Sequence, residues 1–475
     1  MPENTQTLSF EKILEQQRNH FYSYVKNSTA RERLQKLSRL RDWITTHEAD
    51  IAEAIYQDMK KPVEEVEFSE TKPVLMEIDH AKKELRNWMR PDFVGSGLLM
   101  FGTQGKLIYE PKGVCLILAP WNFPFNLTIG PLVSAIAAGN CCMIKPSEMT
   151  PNCSALMQRM VNELFDPNEV QVFLGDHTVA TELTRLPFDH IFFTGSPKIG
   201  RLVMKAAAEN LSSVTLELGG MNPAIVDETA DIEDAAEKIA WAKGFNCGQS
   251  CMSVNYILVH EDKKSELLDA LKRNLSKLWG QKSSSLEDNP DYGRLVNHAH
   301  YKRVIHLLDN ALEAGAEVVW GGTHNESDHF IAPTVLDEVS DEATVFHEEI
   351  FGPLLPIKTY RNIDEVVRWV NDRPKPLAFY VFSNSDRRAE KLIDATSSGT
   401  VCVNDTTLPF IHPNLPFGGV NESGIGKAHG KAGFLAFSNE RTVVKQRVGV
   451  TSAKLVYPPY TEQVKAVIRL IVKWL

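Results

Sequence analysis

Between residues 114 and 403, short apolar runs alternate with stretches of helical periodicity, and no other feature restricts the fold as strongly. The runs at 114–118 and 191–193 are apolar at consecutive positions, and those at 142–145 and 170–173 carry only one polar residue each, Lys145 and Gln171. Strands of that kind are covered on both faces, and helical crossovers between parallel strands supply the cover. Gly195 closes the last run, and a helix is predicted from about Pro197. A second α/β stretch is predicted from about Leu218 to Asn404, with strands at 256–259, 317–320, 354–357, 379–382 and 400–403. Its helix at 231–246 has an N-cap in Asp231 and carries Ile232, Ala235, Ala236, Ile239 and Ala240 on one face.

Ahead of this core, residues 10–87 read as helices, with Leu34, Leu37, Leu40, Trp43 and Ile44 at helical spacing. Glycines and Pro91 then surround the apolar run 98–101, which predicts an exposed hairpin or arm. The segment 441–448 alternates weakly and suits a sheet edge. A two-stranded ribbon is marginal in water, so the arm predicts a homodimer.

At 475 residues, two or more domains are expected. The net charge of −10 argues against a general nucleic-acid binder, which needs a concentrated basic surface. Seven scattered cysteines, an odd number, fit a reducing compartment, and no zinc-like spacing predicts a metal site. The N-terminus lacks the apolar core of a secretory signal, so the cytoplasm is the expected location. No apolar run approaches the roughly 20 residues that span a bilayer. The last dozen residues form an amphipathic, basic pattern, expected to dock on the protein's own surface or to touch a membrane weakly.

Four segments carry chemistry. Gly248-Gln-Ser-Cys251 offers a nucleophilic thiol at a turn of small residues, although a lone cysteine is more often inert core. Glu217 stands in an apolar strand before Gly219 and Gly220. It reads as a general base of raised pKa or as a paired structural carboxylate. Asn122, in Ala119-Pro-Trp-Asn-Phe-Pro124, follows a strand and reads as an oxyanion donor or a turn residue. Glu348-Glu-Ile-Phe-Gly-Pro353 suits a sugar and a flat ring, or a solvated acidic turn.

Taken together with Lys145-Pro-Ser-Glu148, Phe193-Thr-Gly-Ser196, Glu217-Leu-Gly-Gly220 and Leu415-Pro-Phe-Gly-Gly419, these segments resemble the aldehyde dehydrogenase superfamily along nearly the whole chain. The short N-terminus, the stretch 417–430 and Tyr457-Pro-Pro-Tyr460 resemble its class 3 branch, which includes fatty aldehyde dehydrogenases. The resemblance implies a Rossmann-like NAD(P)-binding domain (1–91 and 112–216), an α/β catalytic domain (217–405), a bridging arm (92–111 and 438–448) and a tail (449–475). It implies attack by Cys251 on an aldehyde, an oxyanion held by Asn122 and the Cys251 backbone N–H, hydride transfer to nicotinamide, and thioester hydrolysis by water that Glu217 activates. For the cofactor it implies Lys145 and Glu148 at the adenosine ribose, and Gly195 and Ser196 at the pyrophosphate. Trp121, Leu218, Glu349 and Phe351 complete the set, with Glu349 at the nicotinamide ribose. A carboxylate at the 2′-hydroxyl favours NAD, with NADP still accepted.

Two departures stand out: Met221 where the family usually has Lys, and Met252-Ser-Val-Asn-Tyr256 where class 3 relatives have an Ala-Pro-Asp-Tyr ending. Cys247 is expected to pack, with a protective disulfide to Cys251 as the alternative. Trp88, Met89, Phe125, Phe410 and Ile411 are candidates to line an apolar tunnel, or else core. Medium- or long-chain aliphatic and aromatic aldehydes are the expected substrates.

Overall fold

The structure, a computed structural model, describes residues 9–97, 100–280 and 285–474. Two parallel sheets form its two main cores. In the first, strands Val114–Leu118 and Cys141–Lys145 are buried at every position, which is why their sequences are apolar without alternation. The strand order places Val114–Leu118 in the middle. Cys141–Lys145 and Val170–Val172 lie on one side of it, and His190–Gly195 and Ser213–Leu218 on the other. The chain therefore reverses its direction of travel across the sheet between Val114–Leu118 and His190–Gly195. In an open α/β sheet, that reversal opens a crevice at the strands' carboxyl ends. A short antiparallel strand, Gly424–Ile425, closes the far edge against Ser213–Leu218.

The second sheet has seven strands. Pro223–Val226 is flanked by Tyr256–His260 and Ala378–Phe382, and only Glu317–Trp320 at one edge runs antiparallel to its neighbour. The expected α/β class therefore holds for both halves. Some boundaries differ. Ser213–Leu218 carries Glu217 and Leu218 inside the first sheet, past the expected division at 216/217. The helix predicted to reach residue 246 is Ile232–Gly244, N-capped by the Asp231 side chain, and stops where the backbone turns left-handed.

The third sheet joins Asp92–Val94, Thr103–Pro111 and Ser438–Gln446. The last two pair antiparallel in continuous register from Ser438↔Pro111 to Gln446↔Thr103. Leu98 and Leu99 of the apolar run lie outside the described residues. Phe93 and Phe101 stand open to solvent. The C-terminal helix Glu462–Trp474 rests against the short helix Ser452–Val456 with Val464, Val467, Ile468 and Ile471 half-buried, while Leu470 and Val472 are exposed. Docking on the protein's own surface goes no further than that partial burial. No described helix is long and apolar enough to cross a membrane.

The N-terminal helices Ala30–Thr46, Glu48–Met59 and Lys72–Trp88 cover the first sheet with the stripe their periodicity predicts: Leu37, Leu40, Ile44, Ile51 and Ile55 are fully buried. Between the last two helices lies a charge pair the apolar pattern does not show. Lys61 and Glu70 meet at 2.7 Å with almost no exposure. Glu70 also accepts from the N–H groups of Phe125 and Asn126, at 3.1 and 3.0 Å, and so caps the helix Asn126–Ala138. Lys61 donates to the carbonyl of Asn122 at 3.2 Å. Removing one member of such a pair strands the other charge in a low-dielectric interior. Glu70→Ala is accordingly expected to lower unfolding free energy by roughly 3–5 kcal/mol, measured by urea denaturation, with Glu70→Gln losing less.

Candidate active site

A cavity of about 740 Å³ opens at the crevice of the first sheet and faces the second. Asn122, Glu217 and Cys251 all line it, as do Trp121, Gly195, Ser196, Leu218, Glu349 and Phe351. Lys145 and Glu148 do not. Lys145 ends the neighbouring strand and forms an ion pair with Glu148 in the turn that follows, with the Lys145 side chain buried and that of Glu148 partly exposed. In this arrangement each charge is satisfied by the other.

The nucleophile reaches the cavity through an unusual turn. Asn246, Cys247 and Gly248 have φ of 48°, 54° and 70°, three successive left-handed residues. A side chain at Gly248 would put its Cβ 2.2 Å from the Gly352 carbonyl oxygen, so glycine is required there by space as well as by φ. Buried amides hold the turn. Asn246 Nδ2 donates to the carbonyls of Asn122 (2.9 Å) and Gln249 (3.0 Å), and Asn122 Nδ2 donates to the same Gln249 carbonyl at 3.2 Å. Gln249 Nε2 reaches the carbonyls of Asn246 and Arg294, and its Oε1 accepts from Val296 N. Asn222 Nδ2 fixes the Cys251 carbonyl at 2.6 Å. Cys247 is fully buried against Tyr292 and Gly293, and both it and Cys251 are free thiols in this structure.

Burial raises the energy of the ionised forms of Cys251, Glu217 and Glu349. Burial pushes the Cys251 thiol up to about 12, helped by the nearby carboxylates of Glu349 and Glu217 and opposed by the backbone N–H groups of Cys251 and Met252. Burial also holds Glu217 well above the usual carboxylate range, and Lys427 is the opposing charge. Neither Glu217 oxygen has a hydrogen-bond partner among the described residues. Glu349 is raised by burial to about 7 against the Gly220 N–H, Arg303 and Lys243. Its Oε2 occupies the space beside Gly219, where a Cβ would approach within 2.2 Å, and its Oε1 is buried without a partner among the described residues.

The opposite wall suits a dinucleotide. Ser196 caps the helix Pro197–Glu209 directly after Gly195, presenting a helix N-terminus to the cavity. Leu218 closes against Gly200, and the Phe351 ring meets Trp121 edge-on at 5.4 Å. An orphaned Glu349 oxygen, a helix N-terminus and paired aromatic rings fit the ribose, phosphates and flat ring of a nicotinamide cofactor.

The remaining wall is largely apolar. Phe410 and Ile411 line it as expected, together with Met76, Leu127 and Pro131. Trp88 and Phe125 do not; both are core, Trp88 against Phe434, and Met89 packs on the same core. His429 stands between Phe410 and Phe417, with centroids at 4.7 and 5.4 Å, and burial lowers its imidazole to about 4. Sequence reasoning missed Lys61, Asn246, Lys427 and His429. The last two lie in the glycine-rich stretch 417–430, which was the available signal; the first two had none.

Comparison with known proteins identifies the family. The aldehyde dehydrogenase family model matches residues 3–443. The 4,4′-diaponeurosporen-aldehyde dehydrogenase of Staphylococcus aureus is 43% identical over 438 residues, covering 92% of this chain and 93% of that protein. Aldehyde dehydrogenase family 3 member A2 of Pongo abelii is 39% identical over 433 residues, 91% of this chain and 88% of its own length. A solved structure described as the substrate-bound state of Staphylococcus aureus AldH superposes with a TM-score of 0.92 at 40% identity, covering 98% of this chain and 100% of that one. The chain belongs to the aldehyde dehydrogenase family.

Proposed function

We propose that this aldehyde dehydrogenase oxidises aldehydes to carboxylic acids through a thioester on Cys251, hydrolysed by water that Glu217 deprotonates. One observation carries the reading: a thiol, an amide donor and an unpartnered carboxylate from three separate segments line a single cavity. Cys251 Sγ adds to the carbonyl carbon, and the oxygen that becomes negative is taken by Asn122 Nδ2 and the Cys251 N–H. Asn122 spends one amide hydrogen on Gln249, leaving the second for that oxygen. Phe351, Trp121 and Leu218 would flank a bound nicotinamide ring, with Glu349 at its ribose and Gly195 and Ser196 at the phosphates, and the bound cofactor would supply the acceptor for the hydride that leaves the same carbon. Glu217 then takes a proton from water, the water oxygen bonds to the thioester carbon, and the carbon–sulfur bond breaks to return the thiolate. Retention of this base favours hydrolysis over transfer to coenzyme A.

NAD is the preferred cofactor in this reading and NADP is tolerated, because Glu148, which we assign with Lys145 to the adenosine ribose, repels a 2′-phosphate while Lys145 offsets part of its charge. The volume and apolar wall of the cavity favour medium- or long-chain aliphatic and aromatic aldehydes. We divide the chain into the cofactor, catalytic and bridging parts outlined from the sequence and assign the arm to a homodimer. Phe93 and Phe101 are the exposed apolar surface that supports this. A cytoplasmic location rests on the free cysteines. Weak membrane contact rests on Leu470 and Val472 beside Arg469 and Lys473.

Cys251→Ala is expected to lower kcat roughly 10⁴-fold or more, read as NADH formation with a panel of aldehydes, with and without coenzyme A. Glu217→Gln should still give a first burst of NADH and then turn over some 10²–10⁴-fold slower; unchanged steady turnover would remove Glu217 from the mechanism. For the free enzyme, alkylation of Cys251 by iodoacetamide, followed by mass spectrometry, should keep accelerating through the alkaline range without a plateau near neutrality. A raised thiol pKa leaves the thiolate scarce until pH approaches it. Sedimentation should show a dimer that Phe93→Asp weakens.

A further inference from the structure

The motif Leu415-Pro-Phe-Gly-Gly419 lies largely outside the chemistry derived so far, yet the structure folds it around the general base. Phe417 and Ala428 exchange backbone hydrogen bonds at 3.1 and 2.7 Å, closing the stretch between them into a flap. The flap's inner edge pairs with the strand that carries the base: Gly424 stands opposite Glu217, and Leu218 N donates to Ser423 O at 3.1 Å. Gly418, at φ 149°, sits where a Cβ would be 2.9 Å from Glu217 Oε1 and 3.0 Å from Lys427 Cδ. The carboxylate and the lysine stem therefore converge on one bare glycine. Lys427 Nζ is tethered by the carbonyls of Gly418 and Gly419.

Lys427 is absent from the cavity lining, so it reaches substrate only through Glu217. Lys198, Arg303 and Lys375 line the cavity, but Lys427 is the cation that acts on Glu217, and Glu217 is the anion that acts on Lys427. The other ionisable groups turned to this corner are Cys251, on the nucleophile turn, and Glu349, both negative when ionised. Thr194, opposite Glu217 on the adjoining strand, carries no charge.

We infer that Lys427 is a positioning residue for thioester hydrolysis: tethered to the Gly418 and Gly419 carbonyls, its ammonium group sets positive charge near the Glu217 carboxylate, without a hydrogen bond to it, and so favours the ionised form that can accept a proton from water. This rests on the role proposed above for Glu217. The sign follows directly: a neighbouring cation lowers a carboxyl pKa, so removing it moves the acid limb of hydrolysis to higher pH.

The test isolates hydrolysis from cofactor chemistry. p-Nitrophenyl acetate and the Cys251 thiolate give a thioester and p-nitrophenolate with no change of oxidation state, and water then releases acetate and returns the thiol. After the first burst of p-nitrophenolate, the steady rate reports thioester hydrolysis and is followed against pH. Lys427→Gln, which keeps a donor for the glycine carbonyls but loses the charge, should shift the acid limb up by about one pH unit, and Lys427→Arg should restore it. Lys427→Met replaces the Gln variant if that one does not fold, as judged by its melting transition. An unmoved limb in the neutral variant overturns the inference, as does an equal shift in the Arg and Gln enzymes. A wild-type enzyme with no burst would instead overturn the assignment of Cys251, and this inference with it.

Discussion

Two carbonyl oxygens, those of Asn122 and Gln249, tie the two halves of the site together. The sheets have separate apolar cores, and apolar contact does not fix direction to the fraction of an ångström that catalysis needs. Across the seam, Lys61 and Asn246 converge on the Asn122 carbonyl, while Asn122 and Asn246 converge on that of Gln249. These atoms belong to buried residues, so breaking any one bond leaves an unsatisfied polar group costing about 1–3 kcal/mol. That penalty turns a soft interface into a fixed distance between a nucleophile and an oxyanion donor. The Lys61–Glu70 pair belongs to the same system, because it anchors at one time the carbonyl of Asn122 and the start of the helix that follows it.

The cavity itself is left unfinished. Interiors satisfy nearly all of their polar atoms, yet both Glu217 oxygens and one Glu349 oxygen are buried and unpaired among the described residues. Each of these carboxylates and the Cys251 thiol is held away from its ordinary ionisation by loss of water. Such groups raise the free energy of the empty enzyme, and the rest of the fold offsets that cost. In return they meet water, substrate and a cationic ring without first having to shed other partners, which is the sense in which a site is preorganised.

Much of the architecture was legible because burial on both faces writes itself as consecutive apolar residues. The runs at 114–118 and 379–382 need no knowledge of partners to be placed in a sheet. Cys251, Glu217 and Asn122 could be singled out because the segments that carry them resemble one family together, each being ambiguous alone. What escaped depends on backbone sign or on pairs distant in sequence. The predicted helix end at 246 failed because nothing in Asn246-Cys247 announces a positive φ at two non-glycine residues. Trp88 and Phe125 could be read as tunnel or core because apolar side chains read alike whether they face a void or a neighbour, and the structure makes them core. Lys145 and Glu148, expected at the adenosine ribose, lie outside the cavity lining and pair with each other, a contact that the sequence does not show.

The glycines around Glu217 show the same logic at closest range. Two backbone segments crowd this one side chain: its own strand and the flap 417–428. A Cβ on Gly418, Gly419 or Gly424 would stand within 3 Å of backbone or of the carboxylate itself. The base is therefore enclosed by main chain, which is rigid and nearly uncharged, so its electrostatic surroundings are set chiefly by long side chains threaded between the glycines. Lys427 is one such side chain. A pocket walled this way excludes bulk water from the carboxylate on every side but the cavity, so the water it activates comes from where the thioester forms.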